Sequence, residues 1–224
     1  MLKAAIFDVD GTLIDSNDLH TQAWQSAFRH FGHEISYNRL RRQLGKGADN
    51  YVPYFLTPEE NAKIGTEVAQ YKARLFKSEY ASRIRPFPCV RELFERIGAE
   101  GLRIGLATSA NEEELQRHLR LLKVEDLVEA SSSSRDVRHS KPSPDVFTAT
   151  LEQIGMEPGS AIAIGDTPYD AQACGKIGLR MIGVLCGGFS QQELREAGCF
   201  AIYRDPADLL LRFEESPLNT QQAA

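Results

Sequence analysis

The chain has 224 residues, of which 42% are hydrophobic, enough for a substantial core in one large or two modest domains. Its formal net charge of −5 argues against general nucleic-acid binding, which needs a basic surface. No apolar stretch is long enough to cross a bilayer and no basic-then-apolar signal opens the chain, so we expect a cytoplasmic protein with no membrane partner. Its four cysteines are scattered among apolar neighbours, which predicts small buried side chains rather than a disulfide framework.

The first predicted element is a buried strand, Ala4–Phe7, that leads into the acidic motif DVDGTL at residues 8–13. Side chains alternate along an extended segment, so Asp8 and Asp10 leave it on the same side, and Gly11 allows a sharp turn beside them. Two carboxylates this close need a cation or a shared proton. An Asp-Gly pair alone is more often only a turn, but the apolar strand and the paired acids predict chemistry at the strand tip.

A block with almost wholly helical periodicity follows, from Asp15 to Arg85. Within it, residues 44–49 contain two glycines that permit close backbone approach, and Lys46 between them could meet an anionic substrate. An ordinary flexible loop with a solvated lysine explains the same segment equally well. His20 and Trp24 lie one helical turn apart near the start of the block; we expect Trp24 to pack, and the role of His20 stays open.

From Pro86 onward, predicted helices and strands alternate, which indicates a doubly wound α/β core. The predicted strands are residues 102–106, residues 127–130, a strand beginning at Ala161, residues 180–185 and residues 200–203.

Polar groups follow these strands or open the helices. Thr108 and Ser109 follow one strand, Asp166 and Asp170 follow another, and Lys141 precedes a helix in a proline-stiffened segment. The carboxyl ends of parallel strands lie along one edge of a sheet, so these groups are expected to converge there. Ser109 has an equally good second interpretation, as the N-cap of a helix beginning near position 112.

In their order, these motifs resemble those of the haloacid dehalogenase superfamily: a DxDGT strand end at residues 8–12, a hydroxyl-bearing strand end at Thr108, a lysine at Lys141, and a GDxxxD-type strand end at residues 165–170. The resemblance covers nearly the whole chain. It implies a Rossmann-like doubly wound parallel sheet with an inserted α-helical cap domain. We therefore expect a catalytic core over residues 1–14 and 86–216, a cap over residues 15–85 and a disordered tail over residues 217–224.

The resemblance implies a phosphatase that works through an aspartyl-phosphate intermediate. Asp8 would be the nucleophile, and Asp10 would be the general acid and base. The Thr108 hydroxyl, the Ser109 backbone N–H and the Lys141 ammonium would hold the phosphoryl oxygens. The cap would close over this site, exclude water and select the leaving group.

The resemblance also implies a metal cofactor, Mg²⁺, which prefers oxygen ligands. The ligands carried over are the Asp8 carboxylate, the Asp10 backbone carbonyl and Asp166. Asp170 would act through a metal-bound water or by orienting Lys141. The histidines and cysteines lack the close spacing of zinc sites, so no soft-metal site competes.

The function we expect is hydrolysis of a small phosphorylated metabolite, as in phosphoglycolate phosphatase-like proteins, with Lys46 and His20 as further substrate contacts.

A phosphomutase of the beta-phosphoglucomutase type uses the same intermediate and is the alternative, although Gly165 precedes Asp166 where the mutase pattern has a glutamate. A catalytically inactive phosphate-binding regulatory protein would not need every motif residue. Dehalogenase chemistry does not need Asp10. We expect a monomer or a weak homodimer.

Overall fold

A computed structural model describes residues 1–220. In chain order the strands are β1 (Ala4–Phe7), β2 (Ile14–Asp15), β3 (Arg85–Pro86), β4 (Arg103–Ala107), β5 (Ala130–Ser132), β6 (Ala161–Gly165), β7 (Arg180–Val184) and β8 (Ala201–Tyr203). Within the described residues, β2 and β3 form an antiparallel pair, and the other strands form a six-stranded parallel sheet in the order β5-β4-β1-β6-β7-β8.

The helices are α1 (Asn17–His30), α2 (Tyr37–Arg41), α3 (Ala48–Tyr51), α4 (Pro58–Leu75), α5 (Val90–Ala99), α6 (Glu112–Leu122), α7 (Asp145–Gln153), α8 (Pro168–Lys176), α9 (Gln191–Glu196) and α10 (Pro206–Leu211). Short 3₁₀ turns occur at Val52–Tyr54, Ala81–Arg83, Pro158–Ser160 and Phe213–Glu215, and a π-helical turn at Phe76–Tyr80.

The centre of the sheet is β1, whose residues are all buried because helices cover both faces. One hydrophobic cluster joins the sheet to α5, α6 and α10, and a second joins its other face to α7, α8 and α9. The chain builds β4 and β5 on one side of β1 and then crosses to β6, β7 and β8 on the other side. The predicted doubly wound α/β fold is confirmed, and the order reverses beside β1, where such sheets bind ligands.

Helices α1 to α4 lie between β2 and β3 and surround a separate hydrophobic cluster. Trp24 packs in that cluster as expected, with its ring stacked on Tyr51 at a centroid distance of 4.6 Å. The antiparallel β2–β3 pair lies where the chain enters and leaves the helical block. Two-residue strands leave no periodic pattern, so the sequence did not predict this pair.

The expected strand at residues 127–130 was misplaced, because β5 is Ala130–Ser132. Leu127 and Val128 lie in a turn, where their backbone N–H groups donate to the Val124 carbonyl. Both side chains pack against the core from that turn, so their apolar character reflects burial rather than strand geometry.

The expected disordered tail is also wrong for residues 217–220, and residues 221–224 lie outside the described range. Leu218 is fully buried against the core. The Thr220 hydroxyl donates to Glu100 over 3.1 Å. A single buried leucine has no periodicity, so the pattern could not reveal this contact.

All four cysteines are free, with Cys174 and Cys199 buried and Cys89 and Cys186 half-buried. Among residues 1–220, no helix combines the length and the apolar character needed to cross a membrane.

Truncating the buried core should destabilise the protein far more than the same change at the surface. Leu93 in α5 is fully buried, whereas Leu211 at the end of α10 is 78% exposed. We expect Leu93→Ala to lower the free energy of unfolding by about 2–5 kcal/mol. Leu211→Ala should change it by less than about 0.5 kcal/mol. Urea titration followed by circular dichroism measures both, and equal effects would contradict this core assignment.

Candidate active site

The sheet register brings the predicted site residues to one edge. Phe7 at the end of β1 pairs with Leu106 of β4 and with Ile164 of β6. The residues that follow these strands therefore leave the sheet side by side. Asp8, Thr108 and Asp166 are all buried there, although they are far apart in sequence.

Three buried carboxylates form the floor of the site. One oxygen from each of Asp8, Asp166 and Asp170 lies within 4.8 Å of the others. The Thr12 hydroxyl lies 3.0 Å from both Asp8 Oδ2 and Asp166 Oδ1, between the two side chains. Burial raises the pKa of Asp8 to about 7. Burial, with the charges of Asp8 and Asp170, raises the pKa of Asp166 well above its ordinary value.

The buried ammonium group of Lys141 forms ion pairs with this cluster. Its Nζ lies 2.5 Å from Asp8 Oδ1 and 2.7 Å from Asp170 Oδ1, and it donates to the Ala107 carbonyl over 3.0 Å. Burial opposes the charge of Lys141, but Asp170 and Asp8 outweigh burial and keep its pKa above the ordinary value. One positive charge cannot neutralise three ionised carboxylates. Binding of a further cation at this site is therefore electrostatically favourable.

The donor set fits a hard divalent cation. Asp8 and Asp166 offer carboxylate oxygens, and no thiol or imidazole belongs to the acidic cluster found among residues 1–220. Asp170 is held differently, because its Oδ2 accepts hydrogen bonds from the Thr167 backbone N–H and hydroxyl in the capping box of α8. Its other oxygen meets Lys141. These contacts leave Asp8 and Asp166 as the carboxylates best able to hold the metal.

Asn17 and Gly187 orient the Asp166 carboxylate, and the sequence did not indicate either role. Asn17 Nδ2 donates to Asp166 Oδ2 over 2.9 Å and to the Gly187 carbonyl over 3.1 Å. A Cβ at position 187 would come within 1.7 Å of Asp166 Oδ2, so only glycine allows the backbone this close. An asparagine at a helix start is ordinarily a capping signal, and only the fold brings it to Asp166.

Asp10 belongs to a second polar group, which includes Ser16, His20 and Lys72 of the helical block. Asp10 Oδ1 accepts from the Ser16 hydroxyl over 2.6 Å and lies 3.1 Å from His20 Nε2. Lys72 Nζ in α4 lies 2.9 Å from His20 Nδ1, and the imidazole stacks on Phe76 at 3.9 Å. An ammonium has only donors, so Nδ1 accepts and Nε2 carries the proton that is donated to Asp10. Lys72 had no distinguishing sequence signal.

This arrangement sets the ionisation of Asp10 and His20. Burial and the neighbouring Lys72 charge lower the pKa of His20, which agrees with a neutral imidazole. Burial raises the pKa of Asp10, but hydrogen bonds from His20 Nε2 and the Ser16 hydroxyl favour its carboxylate form, and the pKa lies below its usual range. Asp10 is therefore a carboxylate in this structure, ready to accept a proton.

Thr108 and Ser109 line the cavity beside Asp8. Thr108 Oγ1 accepts from the Ala110 backbone N–H over 3.1 Å, which leaves the hydroxyl proton available to a ligand. The N-cap interpretation of Ser109 is wrong, because Asn111 caps α6 through a capping box with Glu114. Asn111 lies directly before the first helical residue, and its side chain accepts a hydrogen bond from the Glu114 backbone N–H. Ser109 is too far from the first turn of the helix to do the same.

Lys46 also lines the cavity, but it has protein partners of its own. Its Nζ donates to Gln43 Oε1 over 2.6 Å and lies over the rings of Tyr54 and Tyr169, 4.7 and 4.6 Å from their centroids. Tyr54 belongs to the helical block and Tyr169 to α8. Lys46 therefore occupies the junction between the block and the sheet domain, where cation–π contacts hold it.

The segment around Lys46 contacts the loop that carries Lys141. The Gly47 backbone N–H donates to Ser140 Oγ over 3.0 Å, and Asn50 Nδ2 donates to the Ser140 carbonyl over 3.1 Å. These contacts close the helical block over the strand ends. The cavity beside these contacts has a volume of about 200 Å³, enough for a small metabolite.

Comparison with known proteins agrees with this geometry. A family model described as haloacid dehalogenase-like hydrolase matches residues 5–184. The protein named phosphorylated carbohydrates phosphatase from Thermotoga maritima is 25% identical over 213 residues, covering 93% of this chain and 97% of that protein. A phosphoglycolate phosphatase from Nitrosospira multiformis is 26% identical over 207 residues, covering 90% and 91%. The crystal structure of a hydrolase from Pseudomonas syringae matches with a TM-score of 0.83 and 29% identity, covering 95% and 98%.

Removing one carboxylate should stabilise the metal-free protein. We expect Asp166→Asn, in chelator at pH 8, to raise the free energy of unfolding, because the variant replaces a carboxyl that resists ionisation in the folded state with a neutral amide. The amide can still accept from Asn17 and can donate to Thr12. Thermal and urea unfolding measure the change.

The sign follows from the raised pKa of Asp166. In the folded state this carboxyl resists ionisation, so wild-type stability falls as pH rises above the ordinary value of 3.8. The higher stability of the Asp166→Asn variant relative to wild type should therefore vanish below about pH 4 and increase as the pH rises. Added Mg²⁺ should stabilise the wild type more than the variant, because only the wild type keeps both carboxylates. Asp15→Asn, at an exposed carboxylate, is the matched control. A wild type more stable than Asp166→Asn in chelator at pH 8 would contradict the raised pKa of Asp166.

Proposed function

The chain belongs to the haloacid dehalogenase-like hydrolase family, and from that membership and the arrangement around Asp8 we propose that it hydrolyses a small phosphomonoester through an aspartyl-phosphate. The observation that carries the proposal is the convergence of Asp8, Lys141 and Asp166 next to a cavity that Asp8 itself lines. A nucleophilic carboxylate, a fixed cation and a metal-binding carboxylate are what phosphoryl transfer needs at one point.

In the first step, a carboxylate oxygen of Asp8 attacks phosphorus, and the bond from phosphorus to the leaving-group oxygen breaks. Lys141 offsets negative charge on the phosphoryl oxygens, and the Thr108 hydroxyl donates to one of them. Mg²⁺ held by Asp8, Asp166 and the Asp10 carbonyl would neutralise phosphoryl charge and favour the ionised form of Asp8. Asp170 keeps Lys141 in place through their ion pair.

Asp10 handles the protons of both steps. It protonates the departing oxygen in the first step and takes a proton from the attacking water in the second. Its carboxylate form in the substrate-free site suits the second role directly. Bound phosphate would raise the pKa of Asp10 by like-charge repulsion, which favours the protonated form when an acid is needed. His20 orients the Asp10 carboxylate through its Nε2 proton.

We propose that the helical block over residues 15–85 acts as a cap domain that opens to admit substrate. The contacts at Ser140 and Tyr169 that close it are hydrogen bonds and cation–π contacts. Closure would exclude water during the first step, when the Asp8 carboxylate and not a water molecule must attack phosphorus.

One structural feature disfavours the phosphomutase alternative. The mutase pattern has a glutamate at the position of Gly165, but a Cβ there would lie 2.7 Å from Met181 Cε and 3.0 Å from Asp170 Cγ. The packing around β6 is therefore adapted to glycine. A phosphatase also needs only to admit water to the intermediate, whereas a mutase must hold a second sugar phosphate.

The proposal is tested by phosphate release from a panel of small phosphomonoesters, with Mg²⁺ and with chelator. We expect Mg²⁺-dependent turnover, abolished by chelation. Asp8→Asn should reduce turnover by more than about 10³-fold, the largest effect expected from losing one charge-stabilising donor. Near-normal turnover by folded Asp8→Asn would remove the aspartyl-phosphate mechanism. In a parallel assay with glucose 1-phosphate and a trace of the 1,6-bisphosphate, rapid formation of glucose 6-phosphate with almost no free phosphate would establish the mutase instead.

The acid role of Asp10 predicts a dependence on the leaving group. Asp10→Asn should slow hydrolysis of an alkyl phosphate by about 10²–10⁴-fold, because an alkoxide leaves poorly without a proton. Nitrophenyl phosphate, whose leaving group needs little protonation, should lose much less. Steady-state kinetics on both substrates measures the difference, and equal losses would contradict the acid role.

A further inference from the structure

The walls of the cavity carry charges that the phosphoryl-transfer steps do not use. Glu114 of α6 lines the cavity on the sheet-domain side, and Lys72 of α4 lines it on the cap side. Glu114 is close enough to favour the charged form of Lys72, although burial still makes the net shift of the Lys72 pKa downward. The part of the cavity beyond the phosphate site is therefore bounded by the carboxylate of Glu114 and by the ammonium groups of Lys72 and Lys46.

Glu114 is held in place by the N-terminus of α6. Its Oε2 accepts from the Asn111 backbone N–H over 3.3 Å and from Asn111 Nδ2 over 3.0 Å. The Glu114 N–H donates back to Asn111 Oδ1 over 3.0 Å. Across residues 1–220, the hydrogen bonds to this carboxylate engage Oε2, which leaves Oε1 able to accept from a ligand in the cavity.

The two lysines of the cavity are already engaged. Lys72 donates to His20 and lies over the rings of Trp24 and Phe76, 5.2 and 4.7 Å from their centroids. Lys46 is held by Gln43 and two tyrosine rings. A negatively charged leaving group would compete with these contacts for the ammonium groups while lying opposite the Glu114 carboxylate, and like charges repel.

We propose that Glu114 is a specificity-determining residue that accepts hydrogen bonds from an uncharged, polyhydroxylated leaving group and disfavours leaving groups with a carboxylate or a second phosphate. This inference rests on the proposed phosphatase function. A hydroxyl group can donate to Glu114 and accept from a cationic donor at the same time, whereas a carboxylate has no proton to donate. Discrimination therefore combines an attractive contact with a repulsive one.

The test uses a matched pair of substrates, glycerol 3-phosphate and 3-phosphoglycerate, which differ by a hydroxymethyl group in place of a carboxylate. We expect wild type to have the higher kcat/KM for glycerol 3-phosphate. Glu114→Gln should reduce the ratio of the two kcat/KM values by about tenfold or more, because the repulsion is lost. Glutamine still supports a capping box, so α6 should keep its start.

Glu113→Gln is the control, since it removes the same charge from the same helix at an exposed residue paired with Lys77. It should leave the substrate ratio unchanged. A wild-type preference for 3-phosphoglycerate, or an equal change of ratio in the two variants, overturns the role of Glu114. Nitrophenyl phosphate separates this result from failure of the proposed function: a wild type that hydrolyses nitrophenyl phosphate but shows no Glu114-dependent ratio is still a phosphatase, whereas no turnover of any ester overturns the phosphatase itself.

Discussion

Three buried carboxylates share one buried ammonium group, and the arrangement of the site follows from that imbalance. Lys141 forms ion pairs with Asp8 and Asp170, whereas no ion pair within residues 1–220 gives Asp166 a cationic partner. Burying uncompensated charge is expensive, so the rigid α/β core must hold the cluster together. The same imbalance makes the cluster a good fit for a divalent cation, which prefers oxygen ligands.

The helical block is connected to this charge cluster by direct contacts at two places. Its loop donates to Ser140, the residue before Lys141. On another side, the Arg41 guanidinium donates to the Gly187 carbonyl, which Asn17 also contacts while holding Asp166. The helical block therefore contacts the segments that position both Lys141 and Asp166. Exclusion of water then strengthens every charge interaction inside the cavity.

Much of the core could be predicted because its strands are buried on both faces. A continuous apolar run such as Ala4–Phe7 has a single interpretation when a turn and acidic residues end it, and β6 begins at Ala161 as expected. Prediction failed where apolar residues are buried without being in a strand, as at Leu127, or where one side chain alone makes the contact, as at Leu218. The β2–β3 pair was not predicted for a related reason, since two residues are too few to show the alternation of a strand.

The sequence by itself determined the chemical groups at the strand tips and their order, because Asp8, Thr108, Lys141 and Asp166 each lie next to a turn or helix start in the printed chain. Parallel strands then bring those tips together without further information. Only the tertiary structure decided which residues surround them. Asn17 reaches Asp166 across 149 positions, Lys72 reaches His20 across 52, and Glu114 meets the cavity from a helix whose pattern indicated only packing. Such contacts depend on how the helical block closes over the sheet, and side-chain periodicity along one element carries no information about its distance from another.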